Sequence, residues 1–130
     1  MKVSEEEFEG LVAEAINSLP ENFKEKMENI AIVIEDLPSQ ELLIEMKIKS
    51  PYGLLGLYRG VPYPRRGIWY RNVLPDKIII FKKPIEVRCR NREDIKESVR
   101  RVVIHEIGHY FGLNEADLRK IERERDKNSI

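Results

Sequence analysis

An internal disulfide is closed to this chain, because its 130 residues contain a single cysteine, Cys89. A lone thiol is the usage of a reducing compartment, and a cytoplasmic protein is expected. The first residues, Met-Lys-Val-Ser-Glu-Glu-Glu-Phe-Glu, are acidic and lack the basic and then apolar regions of a secretory leader. No apolar run approaches the roughly 18 residues that a membrane span requires, so no membrane partner is expected. Net charge is absent too: 23 basic side chains balance 23 acidic ones. Such a chain exerts no long-range pull on nucleic acid, and it has no basic stripe. Internal repeats and low-complexity linkers are missing, so residues 1–130 read as one domain with one core. Histidine is scarce as well, with only His105 and His109.

What is present is a core-forming 42% of hydrophobic residues and a charged fraction of 35%. Phe8, Leu11, Val12, Ala15, Ile16 and Leu19 recur at helical spacing and predict an amphipathic helix over 5–19. Ser4 and Glu7 have capping-box spacing at its start. Pro20 breaks it, and Phe23 and Met27 mark a shorter second helix. Ile30 to Ile34 is a β-branched run that reads as a buried strand. Ser39 caps a short helix to about Met46. From Pro51 to Pro75 the composition turns to glycine, proline and tyrosine, the chemistry of strands and turns. Strands are expected at 53–58, 68–70 and 77–82, the last ended by Pro84. A long helix then runs from about Arg92 to Phe111, with Asn91 as N-cap and Gly112 as its C-terminal stop. Asn114 caps a final helix that dissolves into a charged tail.

Residues 105–109 read His-Glu-Ile-Gly-His. Two histidines four apart share one helix face, with Cβ atoms about 5–6 Å apart. That spacing suits two imidazoles on one zinc ion at about 2.0–2.1 Å each. Glu106 lies about 100° round the helix from His105, where it flanks the metal and can take a proton from the water activated there. Five-residue matches of this kind also arise by chance. Here, however, both histidines of the chain fall in the motif, on a helix with a strong apolar stripe. A carboxylate beside that stripe is costly without a partner.

An open catalytic zinc needs a third protein ligand. No histidine remains. Glycine at 112 reverses the chain, and Glu115 follows three residues later. The stretch reads His105-Glu-x-x-His109-x-x-Gly112-x-x-Glu115, with Glu115 where the metzincin pattern has its third histidine. Asp117 is the second choice, and Cys89 remains open if the chain folds back. All three methionines precede the motif, so no Met-turn follows it, and only 21 residues follow His109. Neither large zincin class fits the whole chain.

Val102-Val-Ile-His-Glu-Ile-Gly-His-Tyr-Phe-Gly-Leu113, with the acidic stretch after it, resembles the small bacterial zincin-like metallopeptidases, sometimes called minimal metalloproteases. Leu54 to Pro62 and Leu74 to Phe81, followed by Pro84 and Ile85, match in order. The resemblance implies an α+β zincin-like domain, its small mixed sheet packed against the active-site helix and the N-terminal helices. It implies His105 and His109 as ligands, Glu106 as the catalytic carboxylate, an acidic residue at the Glu115 position, one zinc per chain and peptide or protein substrates.

Other readings stay beside this one. The metal helix could belong to a non-catalytic protein-binding module, or to a metal-dependent RNA hydrolase if Arg59, Arg65, Arg66 and Arg71 cluster. Tyr58, Tyr63, Tyr70 and Tyr110 could each stabilise an oxyanion, although a given tyrosine is more often a packing residue. Trp69 is expected at the core or its rim. The 53–58 strand could bind an extended peptide by edge addition, or be an ordinary sheet strand.

Overall fold

The computed structural model describes residues 1–60, 76–110, 112 and 116. Among these residues, five helices and a three-stranded mixed sheet make an α+β arrangement. The helices are α1 (Glu5–Asn17), α2 (Glu21–Lys26), α3 (Gln40–Met46), α4 (Lys82–Glu86) and α5 (Arg92–Tyr110), with a 3-10 turn at Pro51–Gly53. The strands are β1 (Ile30–Glu35), β2 (Gly56–Arg59) and β3 (Asp76–Phe81), in the order β1-β3-β2. β1 runs parallel to β3, with Ile32 opposite Ile78 and Ile34 opposite Ile80. β2 runs antiparallel to β3, with Tyr58 opposite Ile78.

Side chains alternate across a strand, so the sheet has two apolar faces. One carries Ile30, Ile78 and Ile80 with Ile32, Ile34 and Tyr58 packed beside them, and it is covered by Phe8, Leu11, Val12 and Ala15 of α1 and Ile95, Val99 and Val103 of α5. The other carries Ile79 and Phe81, covered by Leu42 of α3 with Leu54 and Leu57. Ile78, Ile80, Phe81 and Ile95 have no exposed surface, and each such side chain contributes about 1.5–3 kcal/mol of hydrophobic stabilisation. Among the described residues no helix is long and apolar enough to cross a membrane.

Helix starts follow local capping chemistry. The hydroxyls of Ser4 and Ser39 accept from the backbone N–H groups of Glu7 and Leu42, each at 3.1 Å. Asn91 Oδ1 accepts from Asp94 N–H at 2.8 Å and opens α5. Gly112 closes it with φ at +71° and its N–H on the His109 carbonyl at 3.1 Å, a backbone conformation that favours glycine.

The sheet and its flanks differ from the sequence-based expectation in four places. The 53–58 strand is confined to β2, because Pro51 starts a 3-10 turn before it. Pro84 does not simply end β3: it sits in the first turn of α4, where a helix has no use for its missing N–H. The Lys83 N–H in that turn is satisfied by the Asp36 carbonyl at 3.1 Å. On α5 the helical spacing puts Val102 on one apolar face with Ile95, Val99 and Val103, yet Val102 is only partly buried, whereas Arg100 is 2% exposed. The Arg100 guanidinium donates to the Ser18 carbonyl at 3.0 Å, the negative end of α1. The expected strand at 68–70 lies outside the described residues, and of the expected helix after Asn114 only Ala116 is described, in helical conformation.

Candidate metal centre

α5 packs one face against α1 and presents the adjacent face to β2. His105 and Glu106 therefore reach the β2 side near the helix C-terminus, with His109 beside them. Gly56 makes this approach possible: a Cβ there would collide with Val102 Cγ1 and stand 3.1 Å from the Ile79 carbonyl oxygen. With no side chain at 56, the β2 backbone lies directly against α5.

Backbone groups of an edge strand alternate in direction. The Phe81 N–H bonds the Leu55 carbonyl at 3.0 Å, so in this antiparallel register the N–H of Tyr58 turns away from β3. It donates instead to Glu106 Oε1 at 3.2 Å. Glu106 is 8% exposed. Burial pushes its carboxyl above the usual range, opposed by His109 nearby and by the Tyr58 N–H. Glu106 Oε2 stands 3.9 Å from His109 Nε2. The sequence showed that this carboxylate required a partner but not that a backbone N–H 48 residues away supplies one. Gly56, a glycine inside a strand, was the available signal.

The two imidazoles converge. His105 Nε2 and His109 Nε2 are 3.1 Å apart, with ring centroids 4.7 Å apart and planes at 79°. Two lone pairs aimed at one another at that distance repel unless a proton or a cation lies between them. Two nitrogens each about 2.0–2.1 Å from one tetrahedral ion stand roughly 3.3 Å apart, close to the separation seen here. Potential ligand atoms of His105, Glu106 and His109 all lie within 4.8 Å of one another. Imidazole with carboxylate is also a donor set suited to zinc. Geometry and chemistry both fit a metal ion.

Other residues singled out in the sequence fall elsewhere. Cys89 is a buried free thiol ahead of α5, and thirteen residues of helical rise from Arg92 put His105 roughly 20 Å further on. It does not join the histidines. The Tyr58 hydroxyl donates to the buried Asp76 carboxylate, so it is engaged in the core instead of facing the histidines. Arg59 pairs with Glu45, Nη2 to Oε2 at 2.9 Å. Glu115, Asp117, Tyr63, Arg65, Arg66, Trp69, Tyr70, Arg71 and the Tyr110 side chain lie outside the described residues.

Comparison with curated proteins gives no match. A family model described as zincin-like metallopeptidase matches residues 27–125, about three quarters of the chain. The span begins just before β1, takes in the whole sheet and α5, and contains the His-Glu-Ile-Gly-His stretch. With that match over a helix whose histidines already face one another, the chain belongs to the zincin-like metallopeptidase family.

Proposed function

We propose that residues 1–130 form one zinc-dependent peptidase domain, with His105, His109 and Glu115 holding one zinc ion and Glu106 as the general base. The observation that carries this reading is the convergence of the two Nε2 atoms at 3.1 Å beside a buried carboxylate. His105 and His109 would hold the ion with their imidazoles, whose separation the rigid helical spacing sets. A zinc ion held there would supply Lewis-acid chemistry to the scissile carbonyl and the attacking water. Glu106 accepts the proton of that water and returns it to the leaving amine. Burial raises its carboxyl above the ordinary range, which makes it a stronger base toward that proton. The Tyr58 N–H fixes Oε1 and leaves Oε2 on the His109 side. Substrates are peptides or proteins, and the single free thiol is consistent with a cytoplasmic setting.

Metal titration tests the ligand set. One zinc per chain is expected. His105→Ala and His109→Ala should each abolish tight binding, Glu115→Ala should weaken it strongly, and Asp117→Ala should leave it nearly unchanged. Full-strength binding in both histidine variants would overturn the site, and the reverse ranking of Glu115 and Asp117 would move the third ligand.

A further inference from the structure

A cleft of about 300 Å³ adjoins the histidines, lined among the described residues by Leu55, Gly56, Arg101, Val102, His105 and Glu106. Its volume is at the small end for binding sites, enough for one side chain and the groups next to it. Leu55, Gly56 and Val102 supply apolar surface. His105 and Glu106 form the wall shared with the metal centre. Among these lining residues, Arg101 brings the permanent positive charge.

Arg101 lies four residues before His105, and His109 four after it. The three share one face of α5, each a turn apart. Four residues of helix rise about 6 Å, so a peptide whose reacting carbonyl lies at the histidines, extending toward the start of α5, meets Arg101 about two residues away. The guanidinium is available for such a contact. Its ion pair is with Glu97, Nε to Oε1 at 3.8 Å, with the arginine side chain 70% exposed. A long, solvated pair of this kind is weak, whereas a carboxylate in a partly desolvated cleft can engage the planar fork through two hydrogen bonds.

We propose that this cleft selects substrates, taking an apolar side chain against Leu55 and Val102 while Arg101 binds a carboxylate beside it. The inference rests on the peptidase reading only in that the occupant is a peptide. The carboxylate belongs either to an acidic side chain or to a free C-terminus, and both present the same planar anion to Arg101.

The test is binding of five short peptides to the zinc-loaded full chain, followed by calorimetry or by chemical-shift changes. Acetyl-Leu-Glu-amide is compared with acetyl-Leu-Gln-amide, and acetyl-Gly-Leu free acid with acetyl-Gly-Leu-amide. At least one acid should bind about 5-fold or more tightly than its neutral counterpart, and which pair shows the difference identifies the source of the carboxylate. The advantage should vanish in Arg101→Gln. In Arg101→Glu the preference should invert toward acetyl-Leu-Lys-amide. Equal binding of acid and neutral peptides, persistence of the preference in Arg101→Gln, or no binding of any peptide would each overturn the proposal. Because binding is read without cleavage, an Arg101-dependent preference in a protein that cuts nothing would sink the peptidase reading and leave this one standing.

Discussion

The two flanks of α5 are built on opposite principles. Toward α1 the helix offers Ile95, Val99 and Val103, fully buried against aliphatic and aromatic side chains. Toward β2 it offers Val102 pressed on a glycine backbone and a buried carboxylate held by an N–H. The first flank contributes stability and carries none of the proposed chemistry. The second brings polar groups out of water, which is costly unless every one is partnered. One helix thus holds its reactive face in place by the packing of the opposite one.

The largest effect should come from the β2 flank without touching the fold. Glu106→Gln keeps the shape and an oxygen acceptor for the Tyr58 N–H but removes the base. Peptide hydrolysis should fall roughly 100-fold or more with zinc content unchanged. Loss of zinc in this variant would show Glu106 to be a ligand.

On the α1 flank the reverse is expected. Ile95→Ala should cost about 2–5 kcal/mol in unfolding free energy, read by denaturant titration, while zinc affinity of the folded fraction stays as it was. A variant that lost metal affinity while still folded would abolish the division between the flanks.

Gly56→Ala probes their junction. The new methyl meets Val102 Cγ1 and forces β2 away from α5. A loss of about 1–3 kcal/mol is expected for such overpacking. Activity should fall further than zinc affinity, since the displacement reaches Glu106 through Tyr58. Equal losses in the two would place the damage in the helix itself.

The smallest change should lie on the outward side of α1, where Gly10 occupies a helix interior and a Cβ would meet nothing within 4 Å. Gly10→Ala should stabilise by about 0.5–1 kcal/mol and leave activity unaltered, as thermal melting and a peptide assay would show.

How much of this was legible in the sequence follows the range of each interaction. Asn91 and Gly112 bracket α5 by local rules, and Ser4 and Ser39 do the same for α1 and α3, so these helices were readable. The four-residue spacing likewise placed His105 and His109 on one face. Pro84 misled because a proline after a strand ordinarily reads as a stop, and the first-turn role depends on Asp36 being near. Arg100 was missed because a stripe of aliphatic residues was sought, and its burial depends on the Ser18 carbonyl, 82 residues away in sequence. The pairing of β2 with β3, and with it the partner of Glu106, arises from contacts between distant segments that leave no periodicity to read.

The hydrogen bond from Tyr58 to Glu106 also bears on how the protein behaves in concentrated solution. Among the described residues β2 is an edge strand, and an edge with open N–H groups is a template on which another chain can pair. At Tyr58 that position is already taken by a carboxylate, whose charge also repels an incoming strand's carbonyl oxygens. The same side chain proposed to move a proton therefore also occupies an edge N–H that a second strand could otherwise use. Its replacement by an apolar residue of similar size would be felt first as a tendency to precipitate.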